Sequence, residues 1–216
     1  MTPEAIRRLA APVPRYTSYP TAPHFSTEID HRAYIGWLEQ LPRKADLSLY
    51  VHVPYCQTLC WYCGCNTKAT RRYAPVSSYL EVLRREATNV AGVIASDHSV
   101  SHVHLGGGSP NILTPGDFEA LMEHLASELS FSSRCEIAAE IDPRHFARAY
   151  AAALQRAGVR RVSIGVQDFD PEVQAAINRH QSFAMTSGVV ALLRQHGVGS
   201  LNVDLVYGLP RQTLDR

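Results

Sequence analysis

Residues 47–66 read LSLYVHVPYCQTLCWYCGCN, and two patterns meet in them. From Leu47 to Val53, apolar residues alternate with Ser48, Tyr50 and His52, the period of two that sends neighbouring side chains to opposite faces of a strand. From Cys56 onward, four cysteines fall at positions 56, 60, 63 and 65. A strand that runs straight into a thiol-rich loop predicts a site at the carboxyl end of that strand.

Four more short, β-branched runs follow, at 102–105 (HVHL), 136–141 (EIAAEI), 159–166 (VRRVSIGV) and 201–206 (LNVDLV). Between them the apolar period becomes helical near 76–95, 115–129, 144–157 and, in two pieces, 171–196; Thr114 reads as an N-cap and Pro115 as the first helical residue. Strands alternating with helices imply an α/β fold built on a parallel sheet. Polar residues cluster at the carboxyl ends of the strands: the cysteine loop, then GGGSP at 106–110, Glu140 and Asp142, Gln167 and Asp168, and Asp204. In barrels and open parallel sheets alike, sites form on that edge.

One large globular domain preceded by an N-terminal extension is expected. Residues 1–46, with Pro12, Pro14, Pro20 and Pro23 and a short helix around Asp30 to Leu41, read as an N-terminal extension that wraps or lids the rest; residues 47–216 read as the main domain. The last strand runs into YGLPRQTLDR with nothing after it to cover the sheet edge. An uncovered edge is a liability, so the sequence is expected to be the N-terminal part of a longer protein, with its barrel incomplete after the fifth strand.

The chain has 216 residues, 45% of them hydrophobic and 19% charged, enough to bury a sizeable core. Its 21 Lys and Arg against 20 Asp and Glu leave a formal charge of +1, which gives no electrostatic case for nucleic acid or an acidic membrane surface. No stretch has the length and continuity of a signal peptide core or a membrane span, which makes the cytoplasm the default expectation. Five cysteines, four of them crowded into one loop, favour metal or redox chemistry in a reducing compartment over a disulfide framework.

The cysteine spacing is C-x3-C-x2-C at Cys56, Cys60 and Cys63, with Cys65 in addition. Three thiolates can hold three irons of a cubane and leave the fourth iron open to a ligand, whereas electron-transfer clusters take four cysteines. Structural zinc is the rival; it wants paired C-x2-C or Cys/His spacings, and Cys135 stands alone. The spacing favours the cluster and leaves zinc standing.

With these residues in view, the sequence resembles the radical S-adenosylmethionine (SAM) superfamily. Within it, LSLYVHVPYCQTLCWYCGCN, HVHLGGGSPNILT, EIDPR, RVSIGVQDF, NRHQ and NVDLVYGLPRQT, together with the N-terminal PRYTSYPTAPHF, resemble oxygen-independent coproporphyrinogen III oxidases from about residue 15 to the end. The resemblance implies a partial (β/α)6 barrel, a 4Fe-4S cluster on Cys56, Cys60 and Cys63, and two bound SAM molecules. It assigns Tyr50, Gly107 and Glu140 to the first SAM, and Tyr62, Gly108, Ser109, Gln167, Arg179 and Asp204 to the second. Cys65 is read as a thiol near the cluster that does not ligate it.

The implied reaction is oxidative decarboxylation of two propionates of coproporphyrinogen III to vinyl groups, giving protoporphyrinogen IX in haem synthesis, through a 5'-deoxyadenosyl radical made from SAM. A flavodoxin- or ferredoxin-type protein is the implied electron donor, the final acceptor is unknown, and the chain is expected to be a monomer. Alternatives are a haem chaperone of the related family, which shares the barrel and three cysteines without the decarboxylase activity, and an inactive fragment; Gly64-Cys65-Asn66 and RYTSYPT favour the oxidase.

Plainer readings compete at single positions. The glycine run could be a tight turn. Glu140, in an apolar strand, could be one half of a structural ion pair, since a buried carboxylate needs a partner. Arg179, read on a helix, would ordinarily be a solvated surface charge. His52 shares a strand face with Tyr50 and is the candidate catalytic residue, as a proton donor or polar neighbour. His102, His104 and His145 are expected to satisfy local hydrogen bonds. Arg15 and Tyr16 could close over a substrate carboxylate. GGGSP lacks the G-x-G-x-x-G spacing of a dinucleotide fingerprint.

Overall fold

A computed structural model describes residues 21–213, together with Thr2, Glu4 and Arg7; Arg15 and Tyr16 lie outside the described residues. The chain divides into two compact units, Met1–Gln40 and Leu41–Arg216. In the first, a 3-10 turn at Ala22–His24 precedes helix α1, His31–Glu39. Asp30 caps it, its carboxylate accepting from the backbone N–H groups of Arg32 and Ala33, both at 2.9 Å, which satisfies two of the donors a helix start leaves open.

The second unit is built on five parallel strands: β1 (Asp46–Val53), β4 (Ser99–Gly107), β5 (Phe131–Ile141), β6 (Arg161–Gln167) and β7 (Ser200–Leu205), side by side in that order. Between β1 and β4, the two-residue strands β2 (Tyr55–Cys56) and β3 (Lys68–Ala69) pair with each other. Helices supply the crossovers that parallel strands require: α2 (Ala74–Ala91), α3 (Pro115–Glu128), α4 (Arg148–Arg156), and α5 (Pro171–Ala176) with α6 (Phe183–Gln195). Each of α2, α3 and α4 packs against the next long helix, α4 against α6. Strands in chain order with helices ranked along one face form an arc of a barrel; a doubly wound sheet reverses its strand order and carries helices on both faces.

Alternation along the strands decides what each face holds. Val51, Val53, Leu105, Ile141, Ile164 and Val166 point to the helices and are buried, where they meet Leu80, Phe118, Leu121 and Leu154 in one continuous core. The residues between them, including Tyr50, His104, Glu140, Ser163 and Asp204, line the inner face. Among the described residues no helix is long and apolar enough to cross a membrane.

The element limits differ from the sequence reading in several places; the strand expected at 102–105 spans Ser99–Gly107, and the helix expected near 76–95 spans Ala74–Ala91. The helix expected from residue 144 begins at Arg148, because Pro143–His145 form a 3-10 turn closed by the Asp142 side chain, which accepts from the Arg144 N–H at 3.0 Å. Strand β5 reaches back to Phe131 through the polar SSR segment, which has no apolar alternation to announce it. The β2–β3 ladder is too short to leave a periodic signal.

Candidate functional site

The cysteine loop is a closed unit. Its base is the β2–β3 pair, where Lys68 N–H donates to the Pro54 carbonyl and Thr70 N–H to that of Cys56, both at 2.9 Å. Its tip is pinned to the turn after α5: Trp61 N–H donates to the Ile177 carbonyl at 3.0 Å, and the Asn178 amide donates to the Leu59 carbonyl at 2.8 Å. Asn178 has φ 55°, a left-handed conformation that asparagine tolerates better than most residues.

Next to the loop lies the turn after β4. Gly108 N–H donates to the Val53 carbonyl and Ser109 N–H to that of Tyr55, both at 2.8 Å. A Cβ on Gly108 would stand 2.5 Å from Thr67 Oγ1 and 2.6 Å from the Tyr55 carbonyl oxygen, so only glycine lets the two backbones approach this closely. Thus the glycine run is a tight docking turn, and Gly107 and Gly108 also line a cavity.

That cavity, of about 230 Å³, is walled by Cys56, Cys60 and Cys63 on one side and by Gly107, Gly108 and Ser109 beside them. Tyr62, Glu140, Gln167, Arg179 and Asp204 also line it, as do Cys65, Asp142 and Arg144. Residues spread over nearly 150 positions of sequence converge there because all but Arg179, which follows α5, lie at the carboxyl end of a parallel strand or in the loop that leaves it. Gln167 ends β6 with φ 72°, at a shift in the β6–β7 register, a backbone strain of the kind that gathers at functional sites. Asp204 accepts from Ser163 Oγ and from the Asn202 amide, each at 2.7 Å.

Tyr50 and His52 stand beside this cavity and do not line it. The Tyr50 ring stacks on His104 at 5.9 Å with 14° between planes, and His104 Nε2 meets Glu140 Oε1 at 3.1 Å. His52 is held at both nitrogens, Nδ1 by the Tyr50 hydroxyl at 3.0 Å and Nε2 by the Asn66 carbonyl at 2.9 Å. Because a carbonyl can only accept, Nε2 donates, and in the neutral ring Nδ1 accepts the tyrosine proton. Tyr50's hydroxyl is pushed up in pKa by partial burial and then by Glu140.

A second cavity, of about 380 Å³, continues along the inner face and shares Glu140, Ser163 and Asp204 with the first.

Arg179 is not on a helix and is not a solvated surface charge: it follows α5 in a loop and is 6% exposed. It donates to the Gly165 carbonyl and, through Nη1, to Cys60 Sγ at 3.4 Å, while its buried Nε has no partner among the described residues. Of its neighbours, Asp142 stands out in the sequence only as a polar residue at a strand end, and Arg144 does not stand out at all. Asp142 and Arg144, each 8% exposed at the side chain, form an ion pair at 2.6 Å, and Arg179 approaches the same carboxylate at 3.5 Å. Burial alone would raise the Asp142 carboxyl, but hydrogen bonds from Arg144 and the charge of Arg179 hold it below the usual range. Asn111 fixes the Asp142 backbone from both sides, at 2.9 and 3.0 Å. The available signal was EIDPR itself, an acid and a base two residues apart at the carboxyl edge of a strand.

The thiols differ in surroundings. Cys56 receives the Thr67 hydroxyl at 3.5 Å; burial raises its pKa, and Thr67 partly opposes that. Cys65 is pushed up to about 11, by burial first and then by Cys63. Burial likewise raises the Tyr62 hydroxyl, against the pull of Arg179. The donor set suits an iron-sulfur cluster: all four thiols of the loop line one cavity, the three of the C-x3-C-x2-C spacing among them, and two guanidinium groups are aimed at the sulfur of Cys60, where they favour negative charge.

A family model described as the radical SAM superfamily matches residues 50–216. The oxygen-independent coproporphyrinogen III oxidase of Bradyrhizobium diazoefficiens is 49% identical over 202 residues, covering 94% of this chain and 45% of that protein. The Escherichia coli K12 protein of the same name is 40% identical over 200 residues, covering 93% and 43%. The solved structure of the Escherichia coli coproporphyrinogen III oxidase, described as a radical SAM enzyme, superposes with a TM-score of 0.86 at 39% identity, over 92% of this chain and 45% of that one. The chain therefore spans less than half the length of the relatives it matches.

Proposed function

The chain belongs to the radical SAM superfamily, and from that premise we propose that it provides the cofactor-binding part of an oxygen-independent coproporphyrinogen III oxidase. The reading rests on one observation: the three cysteines, the 107–109 turn, Glu140, Gln167, Arg179 and Asp204 wall a single cavity. In this reading Cys56, Cys60 and Cys63 would hold a 4Fe-4S cluster, leaving one iron without a protein ligand and free for SAM. A cluster and SAM bound together supply a hydrogen-abstracting radical suited to an unactivated C–H bond, which acid-base groups do not deprotonate. The substrate is coproporphyrinogen III, with oxidative decarboxylation of two propionates.

The chain's own residues bind, orient and shield. Gly107 brings backbone within reach of a first SAM, and Glu140, oriented by His104, offers a carboxylate to its hydroxyl or amine donors, with Tyr50 alongside. Gly108, Ser109, Tyr62, Gln167, Arg179 and Asp204 serve a second SAM, with Arg179 as the partner for a carboxylate. Two cavities that share Glu140 and Asp204 support more than one ligand on this face. His52 orients Tyr50 and the loop through Asn66. A flavodoxin- or ferredoxin-type donor completes the proposal.

Anaerobic reconstitution with iron and sulfide, followed by electron paramagnetic resonance of the reduced protein with and without SAM, tests it. A 4Fe-4S signal that changes on adding SAM is expected. A chain that takes up no cluster, or a signal indifferent to SAM, overturns the reading.

A further inference from the structure

Arg144 occupies the centre of the buried charge cluster behind the cysteine loop, and no part of the proposed function uses it. Its side chain is 8% exposed, and its N–H groups are spent in three directions. Nε and Nη2 hold the Asp142 carboxylate at 2.6 to 3.1 Å. Nη1 reaches the carbonyl of Asn178 at 3.4 Å, the residue whose amide pins the loop at Leu59. Nη2 also donates to Cys60 Sγ at 3.4 Å. Burying a guanidinium is costly, and the cost is met only where partners are complete. Asp142 alone would complete an ion pair; it does not account for the approach to sulfur.

We propose that Arg144 is a tuning residue that raises the reduction potential of the iron-sulfur centre built on Cys60, with Asp142 as the counter-charge that limits the rise. The inference rests on the cluster assignment above. Reduction adds one negative charge, part of which falls on the ligand sulfurs. A buried positive charge donating N–H to one of those sulfurs favours the reduced state, and burial leaves its field poorly screened. Arg179 also reaches Cys60, but its buried Nε has no partner among the described residues, and in the proposed function its charge is shared with a ligand. Arg144 borders the same cavity, but its N–H groups are taken by Asp142, Asn178 and Cys60, and through Asn178 it also braces the loop.

The test is a redox titration of the reconstituted chain, read by electron paramagnetic resonance, on wild type, Arg144→Met, Arg144→Lys and Asp142→Asn, with iron and sulfide content measured on each. In Arg144→Met the ratio of reduced to oxidised cluster at a fixed ambient potential falls about ten-fold, a downward shift of about 59 mV for a one-electron couple. Arg144→Lys keeps the charge and shifts less. Asp142→Asn shifts the potential upward, and that opposite sign is something a purely structural role would not produce. An Arg144→Met protein with full iron and sulfide and the wild-type potential overturns the inference, as do shifts of one sign in all three variants. Should Arg144→Met fail to hold a cluster, the Lys and Asn variants decide: opposite shifts uphold the inference, and wild-type potentials in both overturn it. Wild-type chain without a cluster overturns the proposed function first, and this inference with it.

Discussion

Along β6, Val162, Ile164 and Val166 face the helices and are buried, while the residues between them, Ser163, Gly165 and Gln167, face the cavity. The same backbone serves two purposes on its two sides. On the helix side each residue touches many others of the same kind, so stability is spread over the core and no single partner defines it. On the inner side nearly every group has a named partner: His104 with Glu140, Ser163 with Asp204, Arg144 with Asp142. The helix face thus sets whether the sheet exists, and the inner face sets what it can hold.

This contrast can be broken by substitution. The largest expected effect is on the helix face. Leu105→Ala, at a position with 0% exposure, should cost about 2–5 kcal/mol by leaving a cavity, and urea denaturation measures it; a cost near zero would show that the core is not shared in this way. Gly108→Ala comes next. The added Cβ meets Tyr55 backbone, so the turn must move, at about 1–3 kcal/mol, and iron uptake on reconstitution should fall with stability. Unchanged stability with lost iron would place Gly108 wholly on the ligand side.

Smaller effects sharpen the contrast. Tyr73 donates to Asp117 at the start of α3 and accepts from the Thr114 N–H at 3.1 Å. The Tyr73 hydroxyl, helped by Thr114, holds the Asp117 carboxyl below its ordinary range against partial burial. A lowered folded-state pKa contributes stability above the unfolded value of about 3.9, lost as pH falls through the folded one. Tyr73→Phe should therefore cost about 1 kcal/mol near neutrality and make acid unfolding less steep; equal acid slopes in the two proteins would count against this link. The smallest change in stability is expected at Asp204, an exposed inner-face residue. Asp204→Asn should stay within about 0.5 kcal/mol of wild type in urea while the SAM-dependent change in the cluster signal weakens. A large loss of stability there would erase the distinction between the faces.

Much of the helix face was legible in the sequence, because alternation and helical period are local. Val162, Ile164 and Val166 announce β6 by themselves, and Thr114 with Pro115 marks the start of α3 to the residue. The site was legible to the extent that its residues sit at strand ends, as Gln167 and Asp204 do. What stayed hidden depends on pairing between distant positions. Nothing local distinguishes Arg179 from a surface arginine; its burial follows from Asp142 and Gly165, which come from other strands. Arg144 was hidden for the same reason, since its meeting with Cys60 spans 84 positions. His52 reads as a free polar group on a strand until Asn66 closes over it.

Spatial order in the sheet equals order in the chain: β1, β4, β5, β6, β7, each paired with its predecessor. Such a sheet can be assembled during synthesis, since every strand leaving the ribosome finds its template already in place and never waits for a later segment. The growing edge is always the most recent strand, and the helix that follows arrives in time to cover its apolar side. The cysteine loop, emerging early, is thus framed on one side from the outset, whereas its brace at 177–179 arrives more than a hundred residues later. A nascent chain passes through an interval in which its thiols are folded toward a cavity still lacking the two arginines that face Cys60.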